Sequence, residues 1–190
     1  MSSIDEQPAI DERQLVQRIA NGDREALAEL YMNYRRSLFH YLLQLTPDYG
    51  LAEELLQDTL VAVWKSAQSF ESRSSVLTWL IGIARRQAHN TLRLRKLPTI
   101  DESELAELTA NEPELADFTL ASVARDELAT AFKQLTPLHR EVLVLILVQE
   151  LSYEETATLL QVPVGTVKSR LSNARRMLRS LLATREEAGR

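Results

Sequence analysis

Apolar positions recur along this 190-residue chain at intervals of three and four. That spacing lines one face of a helix of 3.6 residues per turn. Leu15, Val16 and Ile19 make a short amphipathic segment that stops at Asn21-Gly22, and Asp23 is a good N-cap for the next helix. The second helix carries Ala26, Leu27, Leu30, Tyr31, Tyr34, Leu38, Tyr41, Leu42 and Leu45 and ends at Thr46-Pro47-Asp48. A third, from about Leu51 to Gln68, sets Ala52, Leu55, Leu56, Thr59, Leu60, Val63, Trp64 and Ala67 in one stripe. After the polar loop Phe70-Glu71-Ser72-Arg73-Ser74-Ser75, a fourth helix is predicted to bury Leu77, Leu80, Ile81, Ala84, Ala88 and Leu92.

The pattern breaks between Pro98 and about Ala124, where acids, two prolines and weak periodicity read as a mobile linker. Helical spacing resumes near Asp126 with Leu128, Phe132 and Leu135 on one face. Thr136-Pro137 supplies an N-cap and a first-turn proline. The apolar run Val142 to Val148 has the composition of a strand, but its Thr-Pro start and helical neighbours favour a buried helix. The expected architecture is all-α. Two small helical domains, residues 1–97 and 126–190, are joined by a flexible acidic linker at 98–125, and the second contains a helix-turn-helix.

Composition narrows the class. Apolar residues make up 45% of the chain and charged residues 26%, enough for a core and against wholesale disorder. The absence of cysteine excludes a disulfide scaffold, a thiolate nucleophile and Cys-ligated zinc. The longest apolar run, seven residues, is too short to span a bilayer. Met1 to Ile10 carries two acids and no base, unlike a signal peptide. A soluble, cytoplasmic protein is the expectation.

A net charge of −5 argues against nucleic-acid binding until the charge is divided along the chain. Residues 98–126 hold eight acids and one base. Arg85 to Lys96 holds five bases, and Thr156 to Arg185 six, neither with an acid. Such patches meet phosphate whatever the total, although solvated helix faces carry the same pattern.

The sharpest signal lies in Leu151 to Leu178. Ser152 and Glu155 form a capping box, Tyr153, Ala157 and Leu160 an inner face, and Gln161-Val162-Pro163 a turn that ends the helix. The next helix should bury Val167, Leu171, Ala174, Leu178 and Leu181. Its other face presents Thr166, Lys168, Ser169, Ser172, Asn173, Arg175 and Arg176. Short polar side chains among bases suit a major-groove helix: Arg and Lys pair with guanine, Asn pairs with adenine, and hydroxyls hold phosphate.

With these residues in view, the chain resembles the extracytoplasmic-function sigma factors of bacterial RNA polymerase over residues 12–97 and 126–183. Leu135-Thr-Pro-Leu-His-Arg-Glu-Val-Leu and Gly165-Thr-Val-Lys-Ser-Arg-Leu are similar to the family's fourth conserved region. Ala28-Glu-Leu-Tyr-Met-Asn-Tyr, Ala52-Glu-Glu-Leu-Leu-Gln-Asp-Thr-Leu-Val-Ala-Val-Trp and Thr78-Trp-Leu-Ile-Gly-Ile-Ala-Arg are similar to its second. The C-terminal motif is shared with many transcription regulators, whereas the N-terminal half is more specific.

The resemblance implies that Gln57, Asp58, Leu60, Val61 and Trp64 dock on the clamp coiled coil of core RNA polymerase. It implies that the loop with Phe70, Ser72, Arg73 and Ser74, and the helix with Trp79, Arg85, Arg86 and Arg93, open the promoter −10 element. Thr166, Lys168, Ser169, Ser172, Asn173, Arg175 and Arg176 would read the −35 element, and an anti-sigma factor would grip both halves. No catalytic residue, cofactor or metal is implied. Phe70 and Trp79 could stack on a splayed base, and Arg95 and Lys96 add phosphate contacts, but such aromatics are more often core than base platforms. Three departures stand out. Arg86 sits where the family often has Asn, Glu150 and Gln161 where Gly is frequent, and Asn173 where a base is common.

Two other readings remain open on the residues. A helix-turn-helix regulator with a sensing or dimerising N-terminal half would need a pocket or interface there. An enzyme would need a constellation that His40, His89 and His139, scattered along the chain, do not supply.

Overall fold

Helices begin in this protein where the sequence supplies a cap. The structure is a computed structural model, described over residues 11–46, 48–95 and 128–188, and among these residues every regular element is helical. The predicted linker at 98–125 lies outside the described residues, as do Lys96 and Asp126. Asp11 accepts the backbone N–H of Arg13 to open α1 (Glu12–Ala20). Gly22, at φ +87°, turns the chain as a side-chain-bearing residue could not without strain. Asp23 then accepts the N–H groups of Glu25 and Ala26, at 2.9 and 3.1 Å, to start α2 (Arg24–Leu45). The Ala26 bond foremost, and then one from Arg18 Nε at 2.8 Å, hold its carboxyl below the usual aspartate range.

Asp48 caps α3 (Tyr49–Ser66) through the N–H of Leu51, so this helix starts two residues earlier than the spacing predicts. It also ends earlier. The Ser66 hydroxyl donates to the Ala62 carbonyl and that of Ser69 to the Ser66 carbonyl, and the chain tightens into a 3₁₀ turn at Ala67–Ser69. Ser75 Oγ accepts the N–H of Thr78 at the start of α4 (Val76–Arg95). The four helices enclose Leu15, Ile19, Leu30, Leu38, Tyr41, Leu42, Leu55, Val63, Leu80 and Ile81, all at most 2% exposed. Each such aliphatic side chain stabilises the unit by about 1.5–3 kcal/mol. Two stripe assignments on α4 are corrected. Leu77 and Leu92 are only partly covered, and Val76 and Ile83 are buried, because α3 and α2 meet α4 on a face turned toward those positions.

The C-terminal unit begins with α5, helical residues 128–133. Leu128 is 46% exposed instead of facing the core, and Ala131 is the residue enclosed there. Thr136 caps α6 (Pro137–Leu143), with Pro137 in the first turn. The apolar run is helical, as its Thr-Pro start predicts, but burial stops part-way. Val142, Leu143, Val144 and Leu145 are at most 3% exposed, whereas Leu147 and Val148 are more than half exposed. The helix loosens to a π turn at Val144–Val148, where the N–H of Gln149 reaches back to the Val144 carbonyl, so the apolar face rotates out of register with the core.

Glu150, left-handed at φ +56°, then redirects the chain into α7 (Tyr153–Leu160). Both halves of the predicted capping box are present: Ser152 Oγ accepts the Glu155 N–H and the Glu155 carboxylate accepts the Ser152 N–H, each at 3.1 Å. Gln161, also at φ +56°, closes α7, and the Val162 N–H bonds to the Ala157 carbonyl at 3.0 Å in a Schellman arrangement. Helix α8 (Val164–Ala188) buries Val167, Leu171 and Ala174, while Leu178 and Leu181 are only partly covered.

The sequence predicts independent domains. In the structure they touch: α6 and the π turn lie against α2, and α7 lies against α4.

Candidate nucleic-acid interface

Helix α8 divides cleanly into two faces. Val167, Leu171 and Ala174 are held against α6 and α7, which leaves the polar positions between them turned outward. Lys168, Ser169, Ser172, Arg175 and Arg176 are exposed, and Thr166 and Asn173 half-buried. Short contacts order this face. Arg176 Nη2 donates to Asn173 Oδ1 at 2.9 Å, and Ser169 Oγ donates to the Thr166 carbonyl at 3.0 Å. Lys168 Nζ lies 5.6 Å from the centre of the Tyr153 ring, a cation–π distance that fixes the start of α8 against α7. All seven residues singled out from sequence thus share one outward surface.

A second surface lies on α3. Gln57 and Asp58 are exposed, Val61 is 52% exposed, and Leu60 and Trp64 are half-buried at the edge of the core. The α2 residues Tyr31, Arg35, Arg36 and Phe39, with Tyr49 and Glu53 of α3, border a cleft that also reaches Leu56, Gln57 and Leu60. Phe39 and Tyr49 meet edge to face with centroids 4.9 Å apart. Sequence reasoning overlooked this α2 wall. The adjacent Arg35-Arg36 pair and the off-stripe Phe39 were its signal.

The third set is mixed. Phe70 and Trp79 pack on each other with centroids 4.8 Å apart and planes at 41°, and both are half-buried against the core. Ser72 is left-handed at φ +56°, and Arg73 pairs with Glu71 in an exposed ion pair. Ser74 is half-buried, while Arg86 and Arg93 are exposed. Arg95 lies 3.3 Å from Glu54; Lys96 is outside the described residues.

Arg85 departs from the sequence reading. Its Nε donates to Glu141 of the C-terminal unit at 2.9 Å, and that carboxylate also accepts the Tyr41 hydroxyl at 3.0 Å. Arg85 is therefore a paired, three-quarters-buried group, not a free phosphate ligand. Burial, reinforced by Glu141, pushes the Tyr41 phenol well above its ordinary value. Partial burial and the charge of Arg85 push His89 down.

Comparisons with known proteins match this arrangement. Residues 30–97 match the family model for Sigma-70 region 2, and residues 125–178 that for Sigma-70 region 4. The chain is 30% identical over 171 residues to the ECF RNA polymerase sigma factor SigK of Mycolicibacterium vanbaalenii, covering 88% of this chain and 87% of that protein. It is 32% identical to the RNA polymerase sigma-H factor of Pseudomonas aeruginosa, with 86% and 90% covered. Among solved structures, the sigma factor RpoE of Bartonella quintana, in complex with the anti-sigma factor NepR, superposes with a TM-score of 0.68. Its identity is 27%, with 82% of this chain and 96% of that chain covered. CnrH in complex with the cytosolic domain of CnrY shares the fold at 22% identity and a TM-score of 0.67. A region-2 unit followed by a region-4 helix-turn-helix, with relatives matched over nearly their whole length, places the chain in one family: it belongs to the extracytoplasmic-function sigma factors of bacterial RNA polymerase.

Proposed function

We propose that the three surfaces divide the work of a sigma factor among named residues. Gln57, Asp58, Leu60, Val61 and Trp64 dock on the clamp coiled coil of core RNA polymerase, where Val61 offers exposed apolar area beside two polar groups that fix orientation. Phe70, Ser72, Arg73, Ser74, Trp79, Arg86 and Arg93 meet the opened −10 element. Arg85 joins them only after leaving Glu141. Thr166, Lys168, Ser169, Ser172, Asn173, Arg175 and Arg176 read the −35 element. Residues 1–97 and 126–190 are the corresponding units. The protein acts by binding and positioning rather than by catalysing a reaction, and it works in the cytoplasm with the polymerase.

The observation that carries this reading is the outward face of α8, where polar and basic side chains stand clear while Val167, Leu171 and Ala174 are buried beneath them. Regulation by an anti-sigma factor is supported by the RpoE relative, which was solved bound to one.

Run-off transcription with core polymerase on a genomic promoter library tests the assignment. The wild-type chain should give promoter-specific transcripts. Asp58→Lys should bind core polymerase at least tenfold more weakly, with unchanged circular dichroism and melting. Loss of folding together with binding would make Asp58 structural and remove the docking assignment.

A further inference from the structure

Among the polar residues of the α8 face, Lys168 alone carries a compact ammonium on a flexible stem. It is exposed, and among the described residues it forms no ion pair. What restrains it is a ring: Nζ lies 5.6 Å from the centre of Tyr153. Tyr153 is the first residue of α7 and is held there by the capping box between Ser152 and Glu155. Its side chain is half-buried and packs against the core. The ring is therefore a fixed support, and Lys168 is the mobile partner.

In a helix-turn-helix the first helix crosses the strand backbone, and the second enters the major groove with its N-terminal residues on base edges. Lys168 lies near the start of α8 and beside the start of α7, so its stem can serve either kind of acceptor. A phosphate accepts an ammonium from many directions and is present in every sequence, whereas guanine offers O6 and N7 at fixed places. A freely turning stem favours the phosphate, and ordering it on a base costs rotamer freedom. The negative face of an aromatic ring attracts the ammonium and orders it before DNA arrives. We propose that Tyr153 is a positioning residue for −35 recognition. It holds the Lys168 ammonium on the groove side, with N–H groups left to donate to one guanine, and so turns a general phosphate ligand into a base reader. This inference rests on the reading of α8 as the −35 surface.

Two measurements separate the contact from its consequence. In NMR spectra of the free full-length protein, the ring current should shift the Lys168 ε-methylene protons upfield. The shift should persist in Tyr153→Phe and vanish in Tyr153→Leu. In holoenzyme, anisotropy of labelled promoter DNA compares the cognate −35 element with elements changed at each base pair in turn, and with a duplex of unrelated sequence. Lys168→Met should erase the preference for one G·C pair, and Tyr153→Phe should keep it. Tyr153→Leu should lower that preference about two- to fivefold, the worth of one exposed cation–π contact, with affinity for unrelated DNA unchanged. Adding Tyr153→Leu to Lys168→Met should change nothing further at that pair. Circular dichroism and melting establish folding. A trifluorinated phenylalanine at position 153 keeps the shape of the ring while withdrawing charge from its face, so it should give the leucine result even where leucine disturbs the fold.

Equal weakening on every sequence by Tyr153→Leu would mean that the ring only supports the fold of α7. A loss in Tyr153→Phe as large as that in Tyr153→Leu would mean that the hydroxyl touches DNA itself. Either result, an absent ring-current shift in the wild type, or independent losses in the double variant overturns the positioning role. These failures leave the −35 assignment intact as long as Lys168→Met alters selection at one pair. A Lys168→Met protein with unaltered −35 selection removes Lys168 from the base readers, and the role of Tyr153 with it.

Discussion

Asn173 and Arg176 provide the most demanding test of the α8 reading because they touch. Arg176 Nη2 holds Asn173 Oδ1 at 2.9 Å, one turn apart on the exposed face. An asparagine reads adenine by accepting from N6 and donating to N7, which requires its amide to face one way. The Arg176 bond fixes that direction, and Oδ1 keeps a second lone pair for the base. Arg176 is thus expected to act twice, as a phosphate ligand and as the group that orients Asn173. Asn173→Ala should cost about 1–3 kcal/mol at the cognate base pair, roughly 5- to 150-fold in affinity, and should abolish the preference there. Arg176→Ala should lower the slope of log affinity against log salt by about 0.9, the release of one phosphate's counterion. It should also weaken the Asn173 preference, since the amide is no longer held. A hydrogen bond at an exposed site contributes about 0.5–1 kcal/mol, so the double variant should show a coupling of that size.

The assay is anisotropy of labelled promoter DNA with holoenzyme across a salt series, for wild type, both single variants and the double. Site selection from randomised −35 sequences accompanies it. Neither residue contributes to the core, so melting should not change. A coupling below about 0.3 kcal/mol would show that the pair does not act together on DNA. Unaltered selection by Asn173→Ala would refute the reading of this face as the base reader.

Other consequences are simpler to measure. Gln161→Gly should stabilise the protein by up to about 1 kcal/mol in urea unfolding, because relief of roughly 1–2 kcal/mol of left-handed strain exceeds the added entropy of glycine. Ser152→Ala should cost about 1 kcal/mol by removing one half of the capping box, lowering Tm by roughly 2–4 °C. Glu155 is drawn upward by desolvation, but bonds from Thr78, Ser152 and Ser75 outweigh this and leave its carboxyl below the ordinary glutamate value. A depressed folded value stabilises above the unfolded one and is lost as pH falls through the folded one. Stability should therefore drop on acidification through that window, and less steeply in Thr78→Val, as urea midpoints across pH would show.

Local chemistry made most of the fold legible in the sequence. Asp23, Thr136 and Ser152 announce helix starts because a short acceptor beside free N–H groups acts within three residues, and their bonds lie where the spacing places them. The apolar stripe of α1, that of α2 apart from the partly covered Leu27, Tyr31 and Leu45, and the first half of that of α8 hold because 3.6-residue periodicity is also local. The outward face of α8 follows from the stripe beneath it. Failures arose where a second element decides. Leu128 has the right spacing, but the chain encloses Ala131 instead. Leu147 and Val148 match a buried run in composition, but the π turn rotates them into solvent, and no residue type encodes a slip from 3.6 to a wider turn.

The partners of Arg85 show why a site is harder to read than a helix. In sequence, Arg85 belongs to a run of bases without an acid, and such a run is assigned to phosphate. Its carboxylate comes from a position 56 residues away. Glu141 is one acid among many, in a short helix whose other buried residues are apolar, and nothing near it in sequence marks it as different. Only packing reveals that a carboxylate at 7% exposure needs partners, and that two donors from the other unit provide them. The same physical fact explains why the basic run reads as a phosphate site and why Glu141 can hold Arg85 here. A group suited to a phosphate is also suited to a carboxylate, so a basic run identifies the chemistry of its ligand but not whether that ligand is DNA or the protein itself. For Arg85 in this structure that ligand is Glu141.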